Sequence, residues 1–207
     1  MNLPGKIRTG RRLAGQLART PSELRNVPRT VRSQGTPLDV GLPWLAFVVI
    51  DRLDEIVGPE SSVFEFGGGG STVWFAERAR QVTSIEHDPE WAALLEERFA
   101  ATPNVDVRHV AAAGGSYDEY VASVESFPDD SLDVVLVDGR SRVRCALAAM
   151  PKVRPGGFLV LDDSQRKYYG PAHEALAPWP HETLQGMAPY KFDFGVTTFW
   201  RRPAEGD

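Results

Sequence analysis

The 207-residue sequence lacks the features of a secreted or membrane-spanning protein. Its single cysteine, Cys145, excludes an intramolecular disulfide. The N-terminus has no apolar signal core, and the longest apolar run, residues 44–50, is far shorter than the roughly 20 residues that span a bilayer. We therefore expect a cytoplasmic protein with no membrane span.

The N-terminal segment is basic and has no aromatic side chains. Residues 1–36 hold eight basic residues and one acid, so this extension carries +7, and residues 37–207 carry −12 of the total charge of −5. A basic arm can bind nucleic acid, but this one offers no ring on which a base could stack. We therefore favour a basic N-terminal extension that folds over an acidic domain, and nucleic acid is the less favoured partner.

A run of four glycines is the most informative part of the chain. Residues 62–66 predict a buried strand, residues 67–70 a glycine turn and residues 71–78 a helix. Strand, glycine turn and helix form the first unit of a nucleotide-binding α/β fold, in which glycine lets a ligand approach the backbone. A second strand ends at Glu86, whose carboxylate can accept hydrogen bonds from the ribose of either NAD or S-adenosylmethionine.

The third glycine of the dinucleotide fingerprint G-x-G-x-x-G is missing. Thr72 stands at that position after Gly67 and Gly69. Glu65, two residues before the first glycine, fits instead the E/D-x-G-x-G-x-G turn, with Ser71 in place of the last glycine. In these residues the chain resembles the class I S-adenosylmethionine-dependent methyltransferases.

The resemblance extends over roughly residues 40–202. It implies an α/β, Rossmann-like three-layer sandwich with a mostly parallel seven-stranded sheet and an antiparallel C-terminal strand. Further strands are predicted at residues 105–110, 132–137 and 158–161, and two more within residues 184–201. Helices are expected, among other places, at residues 11–19, 43–57, 117–124 and 141–150. The run V-R-P-G-G at residues 153–157 resembles the L-x-P-G-G turn that often precedes a strand in this class.

The same resemblance assigns the cofactor site. Glu65 and the glycine turn would border the methionine part of S-adenosylmethionine, and Glu86 would bind its ribose. His87 either borders the ribose or adenine or is a solvated turn residue. Ala112 and Tyr117 follow the third strand, where the adenine ring is expected. The predicted cofactor-binding residues are Glu65, Gly67, Gly68, Gly69, Ser71, Thr72, Glu86, His87, Ala112, Tyr117 and Asp138.

Three aspartates follow neighbouring predicted strands. Asp138 follows the fourth strand, and Asp162 and Asp163 follow the fifth. Ligands of open α/β sheets bind beyond these strand ends, and clustered carboxylates repel one another unless they are protonated or hold a cation. The spacing resembles the metal site of catechol and sugar O-methyltransferases. That likeness implies that all three bind Mg²⁺ or Ca²⁺, whereas a structural capping role for Asp162 or Asp163 stays open.

Without a metal, a hydroxyl acceptor needs a general base. His173 and His181 are then candidates, and we take Asp138, Asp162 and His173 as the predicted catalytic residues. Arg140 could bind the carboxylate or phosphate of an anionic acceptor. Arg142 and Arg144 fit an ordinary solvated helix at least as well.

We predict a methyltransferase that acts on a small molecule at a hydroxyl oxygen, with or without divalent metal assistance. No Asn-Pro-Pro-Tyr type motif follows the fourth strand, which disfavours DNA methylation. Two alternatives remain: an NAD-dependent oxidoreductase, and a non-catalytic nucleotide- or RNA-binding protein that uses the basic arm. The acceptor and a homo-oligomeric state are left open.

Overall fold

The structure is a computed structural model that describes residues 13–204 and 206. In this part of the chain seven strands form one sheet. They are β1 (Ser62–Phe66), β2 (Gln81–Glu86), β3 (Val105–His109), β4 (Leu132–Val137), β5 (Val153–Asp162), β6 (His181–Met187) and β7 (Phe194–Arg201). The strand order is β3-β2-β1-β4-β5-β7-β6. Strands β1 to β5 pair in parallel, and β7 is antiparallel to both of its neighbours.

Helices cover both faces of the sheet. They are α1 (residues 13–19), α2 (Val27–Arg32), α3 (Pro37–Val40), α4 (Phe47–Ile56), α5 (Gly70–Ala76), α6 (Pro89–Phe99), α7 (Asp118–Ala122), α8 (Arg142–Ala149) and α9 (Gly170–Leu176). Helices α7, α8 and α9 pack into the hydrophobic core on one face, and α4 and α5 pack into the core on the other. The predicted three-layer α/β fold is confirmed.

The central strands are apolar because both of their faces are buried. In β4, Val135 and Val137 pack on the side of α8, whereas Val134 and Leu136 pack on the side of α4. Such strands read as continuous hydrophobic runs rather than as alternating ones. Glu65, in the equally buried β1, is the exception, and its carboxylate is fully buried. The site explains its presence.

The described part of the basic N-terminal segment packs on the domain. Glu23 is 5% exposed, and its Oε2 accepts hydrogen bonds from the backbone N–H of Met187 at 2.8 Å and from Asn26 Nδ2 at 2.9 Å. Arg29 makes two hydrogen bonds to Asp51 on α4, at 2.8 and 3.1 Å. These contacts hold residues 21–32 against β6 and α4. Of the arm's basic residues, Lys6, Arg8, Arg11 and Arg12 lie outside the described residues.

Two local predictions differ from the structure. The helix expected from residue 43, with Trp44 predicted to pack inward, begins at Phe47, so Trp44 precedes it and is 46% exposed. Its ring lies 5.4 Å from that of Tyr190. Strand β5 begins at Val153 rather than at residue 158, because a register shift against β4 keeps residues 153–157 within the strand.

No helix in the described part of the chain combines the length and the apolar character needed to cross a membrane.

Candidate active site

A cleft of about 620 Å³ lies at the carboxyl ends of β1, β2 and β4. This is the edge at which open parallel sheets bind their ligands. Its lining residues are Pro37, Trp44, Gly67, Gly68, Gly69, Gly70, Ser71, Glu86, His87, Trp91, Asp138, Gly139, Arg140 and Arg142. Seven of the predicted cofactor-binding residues are therefore brought together, whereas Glu65, Thr72, Ala112 and Tyr117 do not line the cleft. The Tyr117 ring lies 5.9 Å from that of His87, which does line the cleft.

Two glycines of the turn are required by close backbone contacts. Gly67 has a φ of +95°, and a Cβ there would lie 2.9 Å from the Cα of Gly139, in the loop after β4. A Cβ on Gly70 would lie 2.0 Å from the backbone oxygen of Leu42. The turn is thus pressed between the β4 loop and the segment before α4.

The buried carboxylate of Glu65 accepts hydrogen bonds from the residues that follow the glycine turn. Its Oε2 accepts a hydrogen bond from Ser71 Oγ at 2.6 Å, and Thr72 Oγ1 donates to its Oε1. Thr72 Oγ1 also accepts the N–H of Gly69 at 2.9 Å. Burial raises the pKa of Glu65 to about 7, although the hydroxyl groups act in the opposite direction. The hydroxyl of Thr72 therefore stabilises the turn through hydrogen bonds, at the position where a dinucleotide fingerprint would have glycine.

Glu86 lines the cleft, and backbone N–H groups hold its carboxylate. Its Oε1 accepts the backbone N–H groups of His87 at 2.7 Å and Asp88 at 2.8 Å, and its Oε2 lies 3.4 Å from the nitrogen of Gly68. The side chain is thereby fixed at the end of β2, where a ribose would meet it. His87 lies between Glu86 and Arg140: its Nδ1 is 2.7 Å from Glu86 Oε1, and its Nε2 accepts from Arg140 Nε at 3.3 Å.

The guanidinium of Arg142 lies among the three aspartates. Its Nη2 donates to both the backbone oxygen and Oδ1 of Asp138, each at 2.8 Å. Its Nη1 donates to the backbone oxygen of Asp162 at 2.6 Å and lies 3.3 Å from Oδ2 of that residue. Asp163 Oδ2 is 3.7 Å from Nη1, and Nε donates to the backbone oxygen of Gly139 at 3.0 Å. Arg142 therefore cross-links the ends of β4 and β5.

The three aspartates do not form the predicted metal site. No three His, Cys, Asp or Glu side chains within residues 13–204 and 206 are arranged to hold a metal ion. Arg142 supplies the positive charge that the acids need, and two of the three acids have further partners. Asp162 Oδ1 accepts from Thr197 Oγ1 at 2.9 Å, and Asp163 pairs with Arg166. The donor set fits a guanidinium and does not fit Mg²⁺ or Ca²⁺.

A second cavity of about 540 Å³ adjoins the cleft. The two share Trp44, Asp138 and Arg142. The other residues that line the second cavity are Asp162, Asp163, Gln165, Arg166, Ala188, Lys191, Asp193, Phe194 and Gly195. Burial and the neighbouring charge of Asp162 raise the pKa of Asp138 well above its usual range. A carboxyl group that can exchange a proton therefore stands where the two cavities meet.

His173 and His181 lie away from both cavities. His173 Nε2 donates to the backbone oxygen of Ser164 at 2.9 Å, and its ring lies 5.0 Å from the ring of Trp200. His181 is exposed at the start of β6. The structure does not bring His173 together with Asp138 and Asp162 around a ligand space, because its side chain turns towards Trp200.

The sequence does not predict the contacts of three site residues. For Arg142 it leaves a role in the site and a solvated helix position equally open, although its spacing of four from Asp138 is one at which side chains interact on a helix. Trp91 forms part of the cleft wall, where its Nε1 donates to the backbone oxygen of Gly68 at 2.8 Å. Trp44 lines both cavities, and its aromatic character alone gave no signal for this position.

The comparisons with known proteins agree with this geometry. Residues 64–164 match the family model described as a methyltransferase domain. No curated protein matches the chain. A methyltransferase-like protein from Silicibacter pomeroyi is 29% identical, with a TM-score of 0.52 over 74% of this chain and 85% of that chain.

Two less similar structures share the fold. Precorrin-6y C5,15-methyltransferase from Geobacter metallireducens is 15% identical, with a TM-score of 0.54 over 74% of this chain and 86% of that chain. Aeropyrum pernix fibrillarin, in complex with natively bound S-adenosyl-L-methionine, is 13% identical, with a TM-score of 0.50 over 70% of this chain and 68% of that chain.

The sheet order, the glycine turn and the acid at the end of β2 are similar to those of the class I S-adenosylmethionine-dependent methyltransferases. Residues 64–164 match a methyltransferase domain, and the enzyme is S-adenosylmethionine-dependent. The NAD-dependent oxidoreductase alternative is set aside, in agreement with Thr72 at the third glycine position.

Proposed function

We propose that this enzyme methylates a hydroxyl oxygen of a small molecule bound in the second cavity, with Asp138 as the proton acceptor. The observation that carries the proposal is the position of Asp138, which lines both the cofactor cleft and the second cavity. A group that must act on the acceptor at the moment of transfer has to stand at this junction.

The residues of the cleft fit the cofactor. Glu86 would accept hydrogen bonds from the ribose hydroxyls, and Gly67, Gly68 and Gly69 would allow the methionine part to lie against the backbone. Bound there, S-adenosylmethionine supplies a methyl group already activated by the positive charge on sulfur. The chain then has to position the acceptor, exclude water and remove one proton.

Asp138 suits the removal of that proton. With the methyl group supplied by the cofactor, which would leave as S-adenosylhomocysteine, the Asp138 carboxylate would take up the proton that the acceptor hydroxyl loses. A general base works best when its pKa lies near the working pH, and burial moves the pKa of Asp138 in that direction. Arg142 fixes the carboxylate through Oδ1 and takes the place that a divalent cation would have in a metal-dependent enzyme.

The cofactor part is tested by calorimetric titration with S-adenosylhomocysteine in the presence of EDTA. Wild type is expected to bind, and Glu86→Ala to lose about tenfold or more in affinity, since a charged hydrogen-bond acceptor is removed. Glu96→Ala, on the exposed face of α6, is the matched control. Equal affinity in Glu86→Ala would remove the ribose role.

The catalytic part is tested with isotopically labelled cofactor against a panel of hydroxyl, amino and thiol compounds. We expect label on oxygen, and a loss of about 10²-fold or more in kcat for Asp138→Asn at saturating cofactor. Full activity of Asp138→Asn, or label found exclusively on nitrogen or sulfur, would contradict the proposal.

A further inference from the structure

A third cavity, of about 460 Å³, lies beside the cleft on the side of α8. Its lining residues are Gly139, Arg140, Ser141, Arg142, Val143, Arg144, Arg166, Tyr168 and Tyr169. Four of them are arginines, and of the described residues that line it none has a carboxylate. It shares Gly139, Arg140 and Arg142 with the cofactor cleft, and Arg142 and Arg166 with the second cavity.

The four arginines are not equally engaged. The donors of Arg142 are directed at oxygens of Gly139, Asp138 and Asp162, so its charge is already matched. Arg144 pairs with Asp118, but both side chains are more than half exposed, and such surface pairs contribute little.

Arg140 has the least compensated charge of the four. It is exposed, and no carboxylate of the described chain lies within ion-pairing distance of it. Its Nε donates to His87 Nε2 at 3.3 Å, which leaves the two Nη groups to bind other acceptors. A guanidinium with two free donors in a fork is suited to the paired oxygens of a carboxylate or a phosphate.

Two tyrosines also line the cavity. Tyr168 is 63% exposed, and its hydroxyl accepts a hydrogen bond from Arg166 Nη1 at 2.8 Å. Tyr169 is buried beneath it, with the ring centroids 4.6 Å apart. Asp163, which pairs with Arg166 Nη2, and the phenol of Tyr168 thus hold the Arg166 guanidinium at the border between the second and third cavities, with Arg166 less free than Arg140.

We propose that the third cavity binds the carboxylate or phosphate of the methyl acceptor, with Arg140 as the main contact and Arg166 as the second. This inference rests on the proposed function, since it takes the acceptor to lie beside the cleft with its hydroxyl at Asp138. Arg140 follows Asp138 by two residues, and Arg166 lines both acceptor cavities, so one small molecule can reach both. The acceptor is then an anionic hydroxyl compound rather than a neutral sugar or lipid.

The test measures binding to protein saturated with S-adenosylhomocysteine, so that it does not depend on turnover. The probes are 4-hydroxybenzoate, 4-hydroxyphenyl phosphate and the neutral 4-hydroxybenzamide, titrated by calorimetry or followed by NMR. We expect one or both anions to bind at least about tenfold more tightly than the amide, and the stronger of the two identifies the anion. Arg140→Ala and Arg166→Ala should each remove most of this preference.

Arg98→Ala is the matched control, because Arg98 is exposed on α6 and lines none of the three cavities. Equal binding of charged and neutral probes, no binding of either, or an unchanged preference in Arg140→Ala would overturn the inference. So would a loss of S-adenosylhomocysteine affinity in Arg140→Ala equal to its loss of anion affinity, because Arg140 would then serve the cofactor. Failure of the proposed function would show differently, as bound anion without methyl transfer to oxygen.

Discussion

Arg142 Nη2 donates to two oxygens of Asp138, the backbone oxygen and Oδ1, and both distances are 2.8 Å. One side chain thereby fixes both the strand end and the carboxylate that follows it. The same guanidinium reaches Asp162 on the neighbouring strand. In this enzyme an internal arginine occupies the centre of an acidic cluster whose spacing resembles that of metal-dependent methyltransferases.

Replacing Arg142 should allow the three aspartates to bind a divalent cation. In Arg142→Ala the three aspartates lose their cation, and we expect a loss of about 2–4 kcal/mol in the free energy of unfolding. Millimolar Mg²⁺ or Ca²⁺ should then raise the Tm of the variant, because oxygen-rich clusters bind hard cations, and should leave the wild-type Tm unchanged. Thermal unfolding of both proteins with EDTA and with each cation measures this.

Arg144→Ala is the control for that experiment, since Arg144 lies on the same helix and its ion pair is exposed. An equal rise in Tm for wild type and Arg142→Ala would mean that the arginine does not take the place of a metal.

The sequence was sufficient for the features that depend on local spacing. The first strand, the glycine turn and Glu86 all lie within some 25 residues. In a βα unit each of these features has a fixed place in the structure. The sequence does not predict which groups a long side chain contacts. Arg142 had solvent and three acids within reach, and the choice depended on how closely β4 and β5 approach, which is a tertiary property.

The same reasoning applies to Trp44 and to β5. Trp44 has an apolar ring suited to a core, yet the helix begins three residues later and leaves the ring at the junction of two cavities. Residues 153–157 look like a turn because they contain proline and two glycines, but pairing with β4 through a register shift keeps them in the strand. Neither feature can be predicted from a short stretch of sequence, because both depend on contacts with distant parts of the chain.

Glu65 should make stability depend on pH. Its folded-state pKa is raised from 4.5 to about 7, so between these values the native state binds more protons than the unfolded state. The free energy of unfolding therefore falls as pH rises through this window, by roughly 3 kcal/mol, and is constant above it as far as Glu65 is concerned. Glu65→Gln cannot ionise and should lose this dependence.

Denaturant unfolding at about pH 5 and pH 8 tests the point. The stability of Glu65→Gln relative to wild type should improve by a few kcal/mol between the two conditions, and Glu96→Gln, whose side chain is exposed, should show no such change. A constant difference between Glu65→Gln and wild type at both pH values would mean that Glu65 is ionised throughout.

Asp138 should shape the pH profile of catalysis. A proton acceptor must be ionised, and its pKa is raised by burial and by Asp162, so kcat should increase with pH through a range above the ordinary carboxyl value of about 4. Asp138→Asn should lower kcat and abolish this acid limb. Single-turnover rates with the acceptor found in the labelling screen give the profile, with Asp129→Asn as an exposed control. A wild-type rate independent of pH across that range would argue against Asp138 as the base.

Gly70 should be intolerant of even one added carbon. A Cβ at this position would lie 2.0 Å from the backbone oxygen of Leu42 and 2.9 Å from that of Pro37, and backbone atoms cannot yield as a flexible side chain can. Alanine normally favours a helix over glycine by about 1 kcal/mol, so a loss of stability in Gly70→Ala would be a direct measure of the clash. We expect a loss of about 2 kcal/mol or more in the free energy of unfolding, measured by denaturant unfolding, together with faster proteolysis before α4.

Gly69→Ala is the matched control, because the nearest atom to its Cβ would be 3.9 Å away on Trp91 and its φ is extended. If both variants were equally stable, the segment before α4 would not be pressed against the turn, and the wall of the cofactor cleft formed by Pro37 and Trp44 would have to be placed elsewhere.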